Sequence, residues 1–260
     1  MNLKLLKDRL AYPHKNSALK YLLRNPSLAL SVLTDKPSKF CLSRTLERVL
    51  GCGTDSCLLD SLCQTALDWA RQNGIKDSNG ERMLLYLVVR QYKPDIVVET
   101  GVAHGASSAF MLFAMHENAK GHLYSIDLPP RQVPARIAVT EKGCIHTMED
   151  GQKHLIGDDY HVGDRVPGNL RDRWSLVLGD AKHELPKLLE EMGKVSIFLH
   201  DSLHTYEHMM FEYETAWPYL DTGGLLLSHD VLWNEAFLKF SKKVAAKPLI
   251  YRNVGIIGKC

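Results

Sequence analysis

Apolar positions change their period along this chain. Leu58, Leu59, Leu62, Ala66 and Ala70, and then Met83, Leu84, Leu87 and Val88, recur at three- and four-residue intervals. That spacing predicts two helices between residues 55 and 92. Gly74 and the cluster Asp77-Ser78-Asn79-Gly80 separate them as a turn. Beyond Pro94, short runs rich in apolar and β-branched residues take over, at 95–99, 122–127, 174–178, 195–199 and 225–228. Their length and β-branched content predict strands. Helical stretches at 107–118, 185–192 and 205–217 lie between most of them. Strands that are apolar throughout and alternate with helices predict a parallel sheet covered on both faces. Right-handed crossovers then wind it into a doubly wound α/β domain. Two last short runs, 249–251 and 255–257, predict an antiparallel edge.

Residues 1–50 break this pattern. Leu19, Leu22 and Leu23 fit one helix face, Asn25-Pro26-Ser27 ends it, and Lys36-Pro37-Ser38 ends a second short apolar piece. The segment carries ten lysines and arginines against three acids, so it is +7 on a chain whose net charge is +2, leaving the remainder at −5. A basic helical extension over 1–50 is expected, ahead of a domain over 51–260. It packs on its own body, on a second copy in a homo-oligomer, or peripherally on a membrane or another anionic partner. This charge does not imply a nucleic-acid binder. There is no apolar run of about 18 residues to cross a membrane and no secretory leader, so a cytoplasmic protein is expected. Cys41, Cys52, Cys57 and Cys63 cluster without a C-x-x-C pair and read as reduced thiols. Residues 128–173, rich in Pro, Gly, His and Asp, form an insertion long enough to act as a lid. Tyr160 and His161 are its candidate substrate contacts.

In such sheets ligands bind at the carboxyl ends of the strands. The first predicted strand runs into Glu99-Thr-Gly101-Val-Ala-His104-Gly105-Ala-Ser107-Ser108. The glycines permit a tight turn, and the following helix start offers free N–H groups to a carboxylate or phosphate. The second strand ends in Asp127, where an acid can accept both ribose hydroxyls. A capping turn beside a surface acid is the plainer alternative. The loop is G-x-x-x-G, not the dinucleotide fingerprint G-x-G-x-x-G.

Glu99-x-Gly101-x-x-x-Gly105 followed by Asp127 resembles the first motifs of class I S-adenosylmethionine-dependent methyltransferases, whose sheet is Rossmann-like. The resemblance implies that Glu99, Gly101, His104, Gly105 and Ser107 approach the methionine part of the cofactor and that Asp127 binds ribose. It implies that Asp180 and Ala181, at the end of the third strand, hold adenine. It covers about residues 80–258. Ala103 departs from it, since many members have Gly there.

The segment from Phe198 through His200, Asp201, His204 and Glu207 to His229-Asp230 is similar to small-molecule methyltransferases that act on sugars and macrolides, and to cephalosporin-hydroxylase-like proteins. In members that use Mg²⁺ or another divalent metal, the matching acids are its ligands, here Asp201 and Asp230. Asp201 also borders the cofactor. Leu203 and His229 stand where many members carry acids, which favours a metal that tolerates imidazole, or none.

The expected reaction is methyl transfer to a hydroxyl of a sugar, glycoconjugate or secondary metabolite. His204 is the candidate base, because imidazole titrates near neutrality, and Asp201 is the alternative holder of that proton or of the metal. Capping of the helix near Thr205 is the alternative role for His204. His200 reads as structural. Tyr206, Met209, Met210, Tyr213 and Trp217 read as core, and Asn234 as a helix cap. Two other functions compete: an NAD- or nucleotide-sugar-using enzyme on a related sheet, and a cofactor-binding scaffold without turnover.

Overall fold

The computed structural model describes residues 55–75, 80–129, 137–139, 145–147 and 161–260. The basic extension over 1–50, with Cys41 and Cys52, lies outside the described residues, as does Tyr160. Helix α1, Ser56–Gln72, starts on Asp55, whose carboxylate accepts from the Cys57 N–H. Helix α2, Gly80–Tyr92, is buried along most of its length. The core begins with β1, Ile96–Thr100, and α3, Ala106–Asn118. It continues through β2, His122–Asp127, and β5, Trp174–Leu178. Helix α4, Ala181–Met192, β6, Val195–His200, α5, Tyr206–Ala216, and β7, Leu220–Ser228, follow. Helix α6, Ala236–Lys243, β8, Leu249–Tyr251, and β9, Val254–Gly258, complete it.

Seven strands form one sheet in the order β5-β2-β1-β6-β7-β9-β8. β1, β2, β5, β6 and β7 pair in parallel, and β9 runs antiparallel to both β7 and β8. The predicted Rossmann-like sheet with its antiparallel edge is therefore observed. Alternate strand residues serve opposite faces. Val97, Ile197, Leu199, Leu225 and Leu227 pack with α1, α2 and α3. Val98, Phe198, Leu226 and Ile257 pack with α4, α5 and α6. Burial on both faces is why apolar residues occupy successive positions in the middle of these strands.

Three details differ from the sequence reading. β7 begins at Leu220, earlier than the apolar run, and carries Gly223 at φ +80° within it. Helix α6 was not expected; its register buries Phe237 and Phe240. Within the insertion, a short ladder pairs β3, Ile137–Val139, with β4, Ile145–Thr147. The end of the insertion, from residue 161, packs on the loop after β1. There Gly163 N–H donates to Ala103 O at 2.8 Å and Arg165 N–H to His104 O at 2.9 Å. No helix among the described residues is long and apolar enough to cross a membrane.

Candidate active site

The strand order reverses between β1 and β6, and in sheets of this kind ligands bind at the carboxyl ends of the strands beside such a reversal. The turn leaving β1 is fixed by backbone geometry. Gly101 sits at φ +83°, and a Cβ there would lie 2.1 Å from the carbonyl oxygen of Asp201. Only glycine meets both demands. Ala103 also adopts positive φ, +48°, a region that glycine enters without strain. Gly105 starts α3 at φ +80°, and a Cβ on it would press on Gly163 and Val166.

Carboxylates brace this turn. Asp127 Oδ2 accepts from the N–H groups of Val102 and Ala103 at 2.9 and 2.7 Å, and Oδ1 accepts from Leu128. Burial raises the Asp127 pKa, against those three backbone donors. Glu99 is fully buried at the end of β1. Its Oε2 accepts from Ser108 and Ser125, both at 2.7 Å, and Ser125 Oγ in turn accepts from the Trp174 indole at 2.9 Å. Its Oε1 is buried with no hydrogen-bond partner. Burial pushes the Glu99 pKa up to about 8, the serine donors oppose that, and the charges of Asp201 and Asp127 add to it. An unpaired buried acceptor beside a glycine turn suits a cationic ligand group, so the pocket fits the amino end of S-adenosylmethionine.

Across the crevice, side chains dominate. Asp201 follows β6, and His229 and Asp230 follow β7. Asp230 is held at φ +53°, a strained conformation for a residue with a Cβ, and Asn253 Nδ2 donates to its Oδ1. His204 Nε2 lies 3.3 Å from Asp230 Oδ2 and 3.9 Å from Asp201 Oδ1. Burial pulls the His204 pKa down to about 4, against the two aspartates, so the ring is neutral at physiological pH. His229 Nδ1 lies 3.2 Å from Asp201 Oδ1, while its Nε2 meets Glu81 Oε2 at 3.0 Å. Burial would lower the His229 pKa, but Asp201 and Asp230 outweigh it and raise it well above the usual imidazole range. Asp201, His204 and His229 each offer a donor atom within 4.8 Å of the others, a set able to hold a cation.

Several predicted residues meet here and others do not. Glu99, Gly101, Gly105 and Asp127 form the turn, and Asp201, His204 and Asp230 face it. Thr205 Oγ1, not His204, accepts from the His208 N–H, so Thr205 caps α5. His104 turns away to pair with Asp164 at 2.9 Å. Ser107 is half-buried, and its neighbour Ser108 makes the contact with Glu99. Asp180 caps α4 through the Lys182 N–H at 2.9 Å, and Ala181 packs into the core beneath. Asn234 Oδ1 accepts from Ala236 N–H as expected, and its Nδ2 also donates to His204 O. Met209 and Tyr213 are core, with Tyr206, Met210 and Trp217 packed against it. His161 is exposed. Glu81 and Asn253 were missed, because each reaches the site from a distant part of the chain. His200 proved to be more than a strand end, with both ring nitrogens in hydrogen bonds.

This strand order, with its glycine turn at the switch point and an acid closing β2, defines the class I methyltransferase architecture. The chain belongs to the methyltransferase domain family, whose model matches residues 98–231. It is an S-adenosylmethionine-dependent methyltransferase. Among solved structures it is similar to the Podospora anserina methyltransferase PaMTH1 with S-adenosylhomocysteine bound, at 13% identity over 90% of this chain and 94% of that one, with a TM-score of 0.47. It is similar to CalS11, a calicheamicin methyltransferase, at 16% identity over 86% and 94%, with a TM-score of 0.47. It is also similar to TomG of Streptomyces achromogenes, an O-methyltransferase of tomaymycin synthesis, at 12% identity over 76% and 90%, with a TM-score of 0.49. A comparison with curated protein sequences finds no match.

Proposed function

We propose that this enzyme methylates a hydroxyl of a small molecule, a sugar, glycoconjugate or secondary metabolite, and that His204 removes the hydroxyl proton. One observation carries this reading: a neutral imidazole, 9% exposed, points its Nε2 toward Asp230 and Asp201 across from the glycine turn. The acceptor class rests on the likeness of the segment from Phe198 to Asp230 to enzymes of that kind.

When bound, the cofactor supplies a methyl group on a positively charged sulfur. Glu99 Oε1 would pair with its ammonium group, the turn from Gly101 to Ser107 would lie along its methionine part, and Asp127 would accept from one ribose hydroxyl with the single lone pair that the three backbone donors leave free. Asp180 and Ala181 border adenine. Asp201 stands between the two halves, its backbone pressed on Gly101 and its carboxylate facing His204. His204 Nε2 takes the hydroxyl proton as the oxygen attacks, and Asp230 then accepts a hydrogen bond from the new N–H. Alignment of the hydroxyl by the two carboxylates supplies the rest of the acceleration.

A second reading has its own observation, the three donors within 4.8 Å. In it Asp201, His204 and His229, with Asp230, hold a divalent cation, and His204 is a ligand, not a base. Two imidazoles favour a metal such as Mn²⁺ or Zn²⁺ over Mg²⁺. Calorimetric titration with S-adenosylhomocysteine, followed by radiolabelled methyl transfer to a panel of sugars, catechols and macrolides, tests both. Transfer that survives chelation supports the base. Transfer that stops on chelation and returns with Mn²⁺ supports the cation. Loss of binding to S-adenosylhomocysteine would sink the pocket assignment.

A further inference from the structure

A buried polar relay reaches the cofactor turn from the edge of the sheet. It starts at Trp174, the first residue of the edge strand β5. The Trp174 indole N–H donates to Ser125 Oγ, on the neighbouring strand β2, at 2.9 Å. Ser125 Oγ donates to Glu99 Oε2, on β1, at 2.7 Å. Ser108, on α3, donates to the same oxygen at 2.7 Å. Glu99, Ser108 and Ser125 are all fully buried. The end of the insertion holds the indole in place. A Cβ on Gly163 would lie 2.1 Å from Trp174 Cη2, so only glycine leaves room for the ring. The Arg171 guanidinium sits 5.2 Å from the centre of that ring, and its Nη2 donates to Gly163 O at 2.8 Å.

Chemistry sets the direction of each hydrogen bond. An indole N–H can only donate, so Ser125 Oγ accepts it. A hydroxyl has one proton, and that of Ser125 goes to Glu99. Donation by the indole polarises the hydroxyl and strengthens its bond to the carboxylate. Glu99 Oε2 thus collects two donors, while Oε1 has none among the described residues. We propose that Trp174, acting through Ser125, is a positioning residue for cofactor binding: it fastens Glu99 Oε2 to the protein and leaves Oε1 as the acceptor for the ammonium of S-adenosylmethionine. The inference rests on the reading that this ammonium meets Glu99 Oε1.

An ammonium pairs with the ionised carboxylate. Burial opposes that form of Glu99, the hydroxyls of Ser108 and Ser125 favour it, and the charges of Asp201, after β6, and Asp127, on β2, oppose it. Arg171 stands behind the indole. A proton on Glu99 in the free protein belongs on Oε1, since Oε2 already receives two. The ammonium takes the place of that proton, which passes to solvent. Loss of a donor from Oε2 therefore has its own signature. Glu99 holds its proton to higher pH, so ligand binding weakens at neutral pH and recovers as the pH rises.

The test is calorimetric titration with S-adenosylhomocysteine at a series of pH values on both sides of neutrality. Ser125→Ala is expected to weaken binding about tenfold at neutral pH, through one lost hydrogen bond to a charged group, and to move the rise in affinity to higher pH. Trp174→Phe removes the N–H but keeps a ring, and is expected to act in the same sense by about threefold. In a Glu99→Gln background both substitutions are expected to change affinity by less than about twofold, because the group they act through no longer ionises. A loss of equal size at every pH, or one that persists in Glu99→Gln, overturns the inference, since a merely structural role gives both. So does wild-type affinity in Trp174→Phe. Wild-type affinity in Ser125→Ala, which removes a single hydroxyl, overturns it even if Trp174→Phe fails to fold. If Glu99→Gln alone leaves affinity unchanged, the pairing of Glu99 with the ammonium fails first, and the inference falls with it.

Discussion

At the ends of β1 and β2 the chain presents mainly backbone to the crevice, whereas at the ends of β6 and β7 it presents side chains. The first half consists of a turn over residues 101–105, two carboxylates and two serines, nearly all within one β-α-β unit. The second gathers Glu81, Asp201, His204, His229, Asp230 and Asn253 from both ends of the described chain. A backbone site depends on a few φ angles and close approaches, so it tolerates little at a few positions. A side-chain network spreads its demands across many residues, and its chemistry depends on which atom holds each proton. The contrast separates binding from turnover. Damage to the first half should appear as lost cofactor affinity. Damage to the second should appear as lost turnover with affinity kept.

The largest effect is expected from Gly101→Ala. Its new Cβ would meet the Asp201 carbonyl at 2.1 Å in a left-handed backbone conformation, so the turn must move. Calorimetry should show S-adenosylhomocysteine binding weakened by roughly 100-fold or more, on the order of 3 kcal/mol. Wild-type affinity would mean that the turn does not touch the ligand.

His204→Ala comes next and sharpens the contrast from the other side. Turnover with a hydroxyl acceptor should fall by about 100-fold, the low end of a positioned base's usual contribution. Affinity for S-adenosylhomocysteine should stay within about twofold. A matching fall in affinity would merge the two halves into one unit.

Asp127→Ala should weaken S-adenosylhomocysteine binding by about 10-fold, through one lost charged acceptor and a loosened turn. Retained affinity would leave Asp127 as a brace only.

The smallest effect is a pH dependence. Glu99 titrates near 8 in the free protein, above its ordinary value, so over the interval between them the fold binds a proton that the unfolded chain releases. Its contribution to stability is therefore full at low pH and is lost as pH rises toward 8. A ligand ammonium favours the ionised form, so affinity for S-adenosylhomocysteine should rise with pH up to about 8 and then level off. Glu99→Gln should flatten both trends. An unchanged slope would place the ammonium elsewhere.

How much of this was legible depended on distance along the chain. The glycines, Glu99 and Asp127 could be read because a strand, a turn and a helix follow one another directly, and each demands a residue type at a set spacing. The strand ends carrying Asp201 and Asp230 could be read for the same reason. Capping of α5 was one of two readings for His204, and the structure gives that role to Thr205 instead. For Asp180 and His104 the sequence did not show their protein partners, the Lys182 amide and Asp164, which only packing supplies.

By itself the sequence determined the strands, their parallel character and the antiparallel edge, because a burial pattern repeats along each strand whatever the partner. It also determined where the backbone must turn after β1, since only glycine occupies those angles cheaply. The tertiary structure decided the histidine chemistry. Glu81 meets His229 across 148 positions, and Asn253 meets Asp230 across 23. Glu212 comes to lie beneath His200 only once α5 packs on β6. Hydrogen bonds between distant side chains leave no periodic trace, and their direction, which sets where each proton resides, exists only when every partner is in place.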